Sequence, residues 1–515
     1  MTRTPDGHGR RRQGAGHAPR GTHLPLTPLP RRLVNPWKPL EVLSEEGLNA
    51  IIGGAYELLE DAGLEIRSAR AREIYRRHGA MVDEATMMVR MDRAMVRACC
   101  ASAPKTFTLH ARNPDKNIEI GGDVINFGPV GGAPHVSDAE GGRRHGDFES
   151  MCKIIKLNHS IGVLHWAGGL VVEPVDVTVD ERAMRMSWAH LKYDDSCWAA
   201  RGIGAAPVYE AAEMTAIARG ISLDELARSP SFFIVTNTNS PRRVDEELTE
   251  GTIAAAELGQ ATCVTPFTLA GAMAPITLAG ALCQQTAEAM GVIALTQMVR
   301  PGAPAIYGGF TSNVDMRTGS PAFGTPEYVR ATLAGGQIAR HLNLPYRTSA
   351  PNASPCVDAQ AAYETSLSLF AAIMSHGNLV NHAAGWLESG LSASLEKIII
   401  DSEILRGWAY SMRPIEVTKD DLALDAIKAV PPGGHFFGSP HTMTRFENAF
   451  YQPLVSDWRN FENWRDAGSK TATERATVLW KRILAEYVPP PLDQGIEDQL
   501  MDYIARRGLD TGRFR

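Results

Sequence analysis

The sequence contains few cysteines and none of the cysteine patterns that mark common metal or redox sites. Seven cysteines occur in 515 residues, and no two of them form a CxxC pair. This argues against a zinc ribbon and a thioredoxin-type site and favours reduced thiols in a cytoplasmic protein. His435 and His441 lie six residues apart, but no third ligand follows at a fixed spacing. We therefore expect no bound metal.

Long apolar runs are also lacking. The Arg-, Gly- and Pro-rich start has no apolar segment of the kind that a secretory signal contains. Residues 258–287 carry no charge, but Pro266 and Pro275 interrupt them. A membrane span needs about 20 mostly apolar residues and tolerates proline poorly. We expect no membrane association here, and instead a strand, a turn and a buried helix.

Motifs for nucleotides and for hydrolytic chemistry are missing or incomplete. The segment GIGAAP (202–207) has proline where GxGxxG requires its last glycine, and neither GxSxG nor HExxH occurs. The net charge of −6 is divided unevenly: residues 1–37 carry +6, which leaves −12 for the rest. An acidic body argues against nucleic acid as a partner.

The chain divides into four parts by composition and periodicity. We expect a disordered basic tail over 1–37, a small α+β cap over 38–122, a catalytic domain over 123–413 and a helical extension over 414–515. Within the cap, Ser44 is placed to cap a helix over residues 43–64, and residues 106–111 and 117–122 flank a turn typical of a hairpin.

The central part repeats one unit. Short apolar runs of strand type recur every 33–40 residues, with helical segments such as 245–259 and 326–342 between most of them. Eight such units are typical of a (β/α)₈ TIM barrel, and an open doubly wound sheet is the alternative. The eight runs are 124–128, 162–169, 197–202, 232–237, 263–271, 303–310, 345–350 and 378–386. A long helix is expected over 388–413.

In such a barrel the active site lies where the strands end. Aromatic residues recur at these ends: Trp166, Phe267, Tyr307, Phe310 and Trp386, with Phe436 in a later loop (433–446) suited to folding over the mouth. A quaternary ammonium has no N–H to donate, so ring faces and a carboxylate such as Glu388 are what can hold it. The alternative is that these rings only fill the barrel.

Cys356 lies in a proline-flanked loop after the seventh run, where a site residue is plausible. The spacing fixes no base beside it, so a nucleophilic role is not the main expectation.

Three long segments resemble the trimethylamine methyltransferase family, and the similarity runs over most of residues 40–485. The segments are 266–309 (PFTLAGAMAP…AIYGG), 358–405 (DAQAAYETSL…DSEIL) and 433–464 (GGHFFGSPHT…NFENW). The resemblance implies a (β/α)₈ barrel, in agreement with the strand count. It also implies transfer of a methyl group from a methylated amine to the cobalt of a separate corrinoid protein, so that no cofactor is bound by this chain itself.

The archaeal trimethylamine enzymes of the family carry pyrrolysine, which by approximate position falls at Ser354–Val357 here. Ordinary residues occupy that window. Members without pyrrolysine resemble enzymes for quaternary amines such as glycine betaine, proline betaine or carnitine. The resemblance thus favours a quaternary amine, which leaves as a neutral amine after demethylation.

On this basis we expect Glu388, Asp358 and His382 to act in catalysis. Arg201, Asn237, Asn239 and His382 are candidates to bind a substrate carboxylate, and the aromatic residues together with Cys356 would complete the substrate site. The expected partners are a small methylated amine, a corrinoid protein and further copies of this chain. The alternatives are a barrel lyase, which would need no corrinoid, and a non-catalytic binder of methylated amines.

Overall fold

A computed structural model describes residues 29–514 of the chain. Its centre is a curled eight-stranded sheet in which seven strands are parallel and one short edge strand is antiparallel. The chain is therefore an α/β protein with a mostly parallel sheet. In sheet order the strands are Leu33–Val34, Val124–Pro129, Leu379–Ala384, Tyr346–Ser349, Ala305–Gly308, Ala261–Val264, Phe232–Thr236 and Trp198–Ala200.

The second predicted strand, over 162–169, does not form a regular strand. Trp166 makes one parallel bridge with Cys197, and the amide of His165 donates to the carbonyl of Phe127 (2.8 Å). The His165 ring explains the interruption, because its Nδ1 takes the place of a carbonyl and accepts from the amide of Phe127 (3.0 Å). The prediction of eight regular strands is corrected at this point.

Helices cover the outside of the sheet. The two predicted at 245–259 and 326–342 are confirmed as Glu246–Glu257 and Pro326–His341. The helix predicted from residue 388 begins only at Leu395, because a turn and the strand Ser392–Ser394 precede it. The other long helices of this layer are Phe148–Ile161, Val179–Tyr193, Ala205–Arg219, Leu278–Val299 and Ala359–Met374.

Short strands gather beyond the carboxyl ends of the parallel strands. They form two small sheets: Leu269–Ala270 with Ser312–Val314 and Pro321–Ala322, and Trp386–Leu387 with Ser392–Ser394, His135–Asp138 and Gly142–His145.

The predicted hairpin in the N-terminal cap is confirmed as Phe107–Leu109 paired with Ile118–Ile120. Leu109, Ile118 and Ile120 pack against the inward residues Phe233 and Ile306 of the sheet. The hairpin thus seals the end of the sheet at which the strands begin.

The predicted cap helix is also confirmed. It begins at Glu45, where the Ser44 side chain accepts from the amide of Gly47 (3.1 Å), and it runs to Glu57 before a π-helical turn. The remaining cap elements are the helices Ala69–Arg77 and Arg93–Ser102 and the strands Leu64–Ile66, Met81–Asp83 and Met88–Arg90.

Residues 31–34, which were expected to belong to the tail, contact the body of the protein. Leu33 and Val34 pair with Ile125 and Val124, and Arg31 donates to the carbonyls of Leu164 and His165. The open edge of a strand offers hydrogen-bond partners to these residues. The amino-acid composition of the segment does not reveal such contacts. The rest of the predicted tail, residues 1–28, lies outside the described residues.

The C-terminal part contains the helices Leu424–Ala429, Pro440–Met443, Phe461–Asp466, Ala472–Ala485 and Gln494–Arg506. Helix Ala472–Ala485 packs on helix Leu395–Ser411. Within residues 29–514, no helix is both long and apolar enough to cross a membrane.

The sealing role of the hairpin gives a stability prediction. Ile118 is 2% exposed and Ile276 is 70% exposed, so the same substitution by alanine removes core packing at one position only. We expect Ile118→Ala to lower the free energy of unfolding by about 2–5 kcal/mol and Ile276→Ala to change it by less than about 0.5 kcal/mol. Urea unfolding followed by circular dichroism measures both, and equal losses would contradict the packing described.

Candidate functional site

A cavity of about 480 Å³ opens where the parallel strands end. Aromatic and polar side chains line it, and most of them belong to the strand ends singled out in the sequence. The aromatic lining consists of Trp166, Phe267, Phe310 and Trp386, and the polar lining consists of Arg201, Asn237, Arg347, Asn381, His382 and Ser389. The strand ends thus bring together seven of the expected site residues.

Asn381, Ser389 and Arg347 also line the cavity but were not among the expected site residues, and Arg347 is the charged one of the three. It lies on strand Tyr346–Ser349 and is only 3% exposed. Its guanidinium carbon is 5.2 Å from the centre of the Phe310 ring, and its Nη2 lies 3.3 Å from Nε2 of His382. Its Nε and Nη1 are buried and have no hydrogen-bond partner among residues 29–514. An arginine within a strand of the parallel sheet, where charged side chains are rare, was the available signal.

His382 is held as a neutral imidazole beside this arginine. Burial and the positive charge of Arg347 place the pKa of His382 well below its usual value. In this form Nε2 accepts a hydrogen from the Arg347 guanidinium, so the proton of the ring is on Nδ1. The backbone of His382 has a φ of 55°, which is unusual for a residue with a side chain. The ring centre lies 3.8 Å from that of Trp386.

The aromatic residues of the lining form a connected cluster around Phe310. The ring centre of Phe310 lies 5.1 Å from Phe267, 5.0 Å from Phe323 and 6.0 Å from Trp386. On the other side of the cavity, Trp166 depends on a glycine, because a Cβ at Gly128 would lie 2.0 Å from its ring. The rings are therefore fixed by packing before any ligand arrives.

Among the described residues that line the cavity, none is aspartate or glutamate. Glu388 follows the last strand, but Nε of Arg143 lies 2.9 Å and 3.1 Å from its two carboxylate oxygens. Asp358 caps helix Ala359–Met374, where it accepts from the amide of Ala361 (3.1 Å). The charged side chains on the lining are thus the guanidinium groups of Arg201 and Arg347.

Other expected site residues lie outside the cavity lining. Tyr307 is buried on the outer side of its strand, where its hydroxyl lies 2.9 Å from Nε2 of Gln285. Burial raises the pKa of this hydroxyl to about 12. Cys356 is exposed in the loop before Asp358, and partial desolvation and the Asp358 carboxylate raise the pKa of its thiol. Asn239 is exposed beyond its strand end, and its side chain accepts from the amide of Asp245 (3.0 Å).

Phe436 and the pyrrolysine window also lie apart from the cavity. Phe436 is exposed in a segment that follows helix Leu395–Ser411. Of the window, Ser354 is buried, and its hydroxyl donates to the carbonyl of Cys356 (2.9 Å). None of the four residues from Ser354 to Val357 lines the cavity.

A cluster with metal-ligand geometry lies at the opposite end of the sheet. The ligand atoms of His159, Asp194 and Asp195 come within 4.8 Å of one another. The ammonium of Lys116 already bonds to Asp195 and lies 3.3 Å from Nδ1 of His159. Lys116 thus pairs with Asp195, and Asp194 lies 3.6 Å from Nδ1 of His159, so we interpret the cluster as an ion-pair network.

Comparison with known proteins shows a family match over nearly the whole chain. A family model described as trimethylamine methyltransferase matches residues 7–512. A glycine betaine methyltransferase from Desulfitobacterium hafniense strain Y51 is 36% identical over 92% of this chain and 98% of its own length. The trimethylamine methyltransferase MttB from strain DCB-2 of the same species is 29% identical over 92% of this chain and 95% of its own length.

A solved structure with a similar fold is the crystal structure of a hydroxylamine complex of MtmB. It superimposes with a TM-score of 0.50 at 11% identity and covers 89% of this chain and 94% of its own. At this identity the likeness concerns the fold.

The environment of His382 gives a prediction on pH. Burial and the charge of Arg347 lower the pKa of His382. The ring should therefore stay neutral when the pH falls from 8 past the usual histidine pKa of about 6.5. We expect its ¹⁵N resonances, assigned by their loss in His382→Gln, to remain those of a neutral ring while exposed histidines titrate. A titration midpoint near the usual value would contradict the geometry described.

Proposed function

Because this chain belongs to the trimethylamine methyltransferase family, we propose that it transfers a methyl group from a carboxylated quaternary amine, such as glycine betaine, to the Co(I) of a corrinoid protein. The homologues support a methyl-transfer role for the chain. The identity of the substrate and the identity of the methyl acceptor are our proposal. We also propose a cytoplasmic location. We further propose that the sheet is a closed (β/α)₈ barrel, because His165 and Ala167 make hydrogen bonds to both neighbouring strands.

The observation that carries the proposal is the charge of the cavity. Two guanidinium groups and four aromatic residues line it, without a carboxylate among the described lining residues. A simple alkylammonium would bring a third positive charge to this place. A betaine brings a carboxylate as well, which neutralises one guanidinium, while its trimethylammonium group can lie against the rings.

Arg347 is the proposed partner of the substrate carboxylate. Burial of a charged group is unfavourable unless the group is paired, and its Nε and Nη1 have no partner among the described residues. A carboxylate can accept from two guanidinium N–H groups at once. His382, with its proton on Nδ1, and Asn381 offer further polar atoms in the same wall of the cavity.

The aromatic residues are proposed to hold the trimethylammonium group. Contacts of a cation with the faces of Trp386, Phe310, Phe267 and Trp166 would contribute roughly 0.5–2 kcal/mol each. Because these rings are fixed by mutual packing, they can orient one methyl group toward the open side of the cavity. The same rings exclude water from the reacting carbon.

The reaction requires no general acid from this chain. When the C–N bond of glycine betaine breaks, the electron pair remains on nitrogen and a neutral tertiary amine leaves, while Co(I) of the co-substrate accepts the methyl group. We therefore propose that Glu388 and Asp358 support the loops around the cavity through Arg143 and Ala361 and transfer no proton. His382 is proposed to position Arg347.

Substitution of Arg347 tests the carboxylate site. We expect Arg347→Met to raise the Kd for glycine betaine about 10- to 100-fold, because a charge-assisted hydrogen bond contributes about 1.5–3 kcal/mol. The same change should leave the Tm unchanged or raise it, since a buried unpaired charge is removed. Calorimetric titration measures the Kd, and Arg330→Met, on an exposed helical position, is the matched control. Equal affinity in both variants would contradict the assignment.

Substrate choice tests the proposed activity. With a Co(I) corrinoid protein present, we expect methylation of cobalt with glycine betaine and not with tetramethylammonium or trimethylamine, which lack the carboxylate. The absorbance change of the corrinoid reports each reaction. Demethylated product without any corrinoid would identify a lyase, and tight binding without turnover would identify a binder; either result would contradict the proposal.

A further inference from the structure

The C-terminal part contains a long excursion that is largely detached from the body, which we call the arm (residues 413–450). It leaves the end of helix Leu395–Ser411 and rejoins it at Tyr451, whose ring centre lies 5.6 Å from that of Tyr410. The hydroxyl of Tyr410 also donates to the carbonyl of Ala449 (3.4 Å). Both ends of the arm are therefore fixed at one place on the body.

The arm has no core of its own. None of residues 413–454, all of which the structure describes, is buried. Its short helices Leu424–Ala429 and Pro440–Met443 bury no side chain. Phe437, for example, is 81% exposed. The large apolar residues exposed along the arm are Ile415, Val417, Leu422, Leu424, Ile427, Phe436, Phe437, Met443, Phe446 and Phe450. So many exposed apolar side chains in one segment mark an interaction surface.

The root of the arm lies at the end of the sheet opposite the cavity. Trp408, on the last turns of the helix that precedes the arm, has its ring centre 6.1 Å from Trp37. The carbonyl of Trp37 lies 2.8 Å from Nε2 of His376, which precedes strand Leu379–Ala384. A methyl acceptor must approach the cavity at the other end. The location of the root therefore argues against the corrinoid protein as the partner that covers the arm.

A second uncovered apolar surface lies beside this root. Helix Ala359–Met374 packs beside helix Leu395–Ser411, and its outward positions Tyr363, Leu367 and Phe370 are exposed. The one charged residue of that helix, Glu364, is buried. Exposed Leu40 extends the surface, because its amide donates to the carbonyl of Met374 (2.9 Å). We call Tyr363, Leu367, Phe370 and Leu40 the stripe.

We propose that the arm packs on the stripe of a second copy of this chain, and that the second copy returns the same contact. The inference is independent of the proposed function. The arm and the stripe are both apolar and lie near one another, as a two-fold, self-complementary interface requires. The four phenylalanines and six aliphatic residues of the arm expose on the order of 1,000 Å², which reaches the roughly 800 Å² per partner of a stable interface.

Sedimentation velocity across micromolar concentrations tests this interface. We expect the wild-type chain to sediment as a dimer or larger assembly. The double variant Phe437→Ser with Phe446→Ser removes apolar area from the arm, and Leu367→Glu places a charge in the stripe. Each should sediment as a monomer. Val488→Ser, which removes an equally exposed apolar side chain outside both surfaces, should leave the assembly unchanged.

Far-ultraviolet circular dichroism and the Tm of thermal unfolding check that each variant is folded. A wild-type monomer over the whole range, or variants that keep the wild-type sedimentation coefficient, would overturn the proposal. An unchanged assembly combined with a tenfold higher KM for the corrinoid protein would show that the corrinoid protein covers the arm, and would overturn it as well.

Discussion

The site depends on the burial of one positive charge. Arg347 is surrounded by rings and strands, and its nearest polar neighbour, His382, is neutral because of that charge and of its own burial. Among residues 29–514, no carboxylate lines the cavity to compensate it. A buried guanidinium in this condition stabilises the protein less than a neutral residue would, which is why we propose that an anionic group of the substrate pairs with it.

The rest of the fold keeps this charge and its aromatic surroundings in place. The hairpin Phe107–Ile120 closes the far end of the sheet, so the cavity opens only where the strands end. Gly128 leaves room for the Trp166 ring. Within the strand Leu379–Ala384 His382 has positive φ, and so do Glu388 and Ser389 in the turn that follows. Such strain in a short segment is typical of sites where a loop must present side chains in one fixed orientation.

The spacing of the apolar runs predicted most of the sheet, and the strand ends predicted most of the cavity lining. The errors have physical causes. Tyr307 is at a strand end but on the outer face, because side chains alternate along a strand and one residue of register moves a side chain to the other side. Arg347 was missed because it looked like part of a strand core. The segment at 165 has strand composition, but a side-chain nitrogen replaces a carbonyl in its pairing.

The expectation that a carboxylate would meet the cation was reasonable from composition, since Glu388 directly follows the last strand. In the structure Arg143 lies against that carboxylate, a contact between residues 245 positions apart that spacing cannot reveal. The aromatic rings and the arginines then favour a zwitterion over a simple cation.

The most direct measurement is a crystal structure with glycine betaine bound. We expect the substrate carboxylate about 2.7–2.9 Å from the Arg347 guanidinium and the trimethylammonium group among Phe267, Phe310 and Trp386. A carboxylate directed away from Arg347, or an ammonium in contact with Glu388, would contradict it.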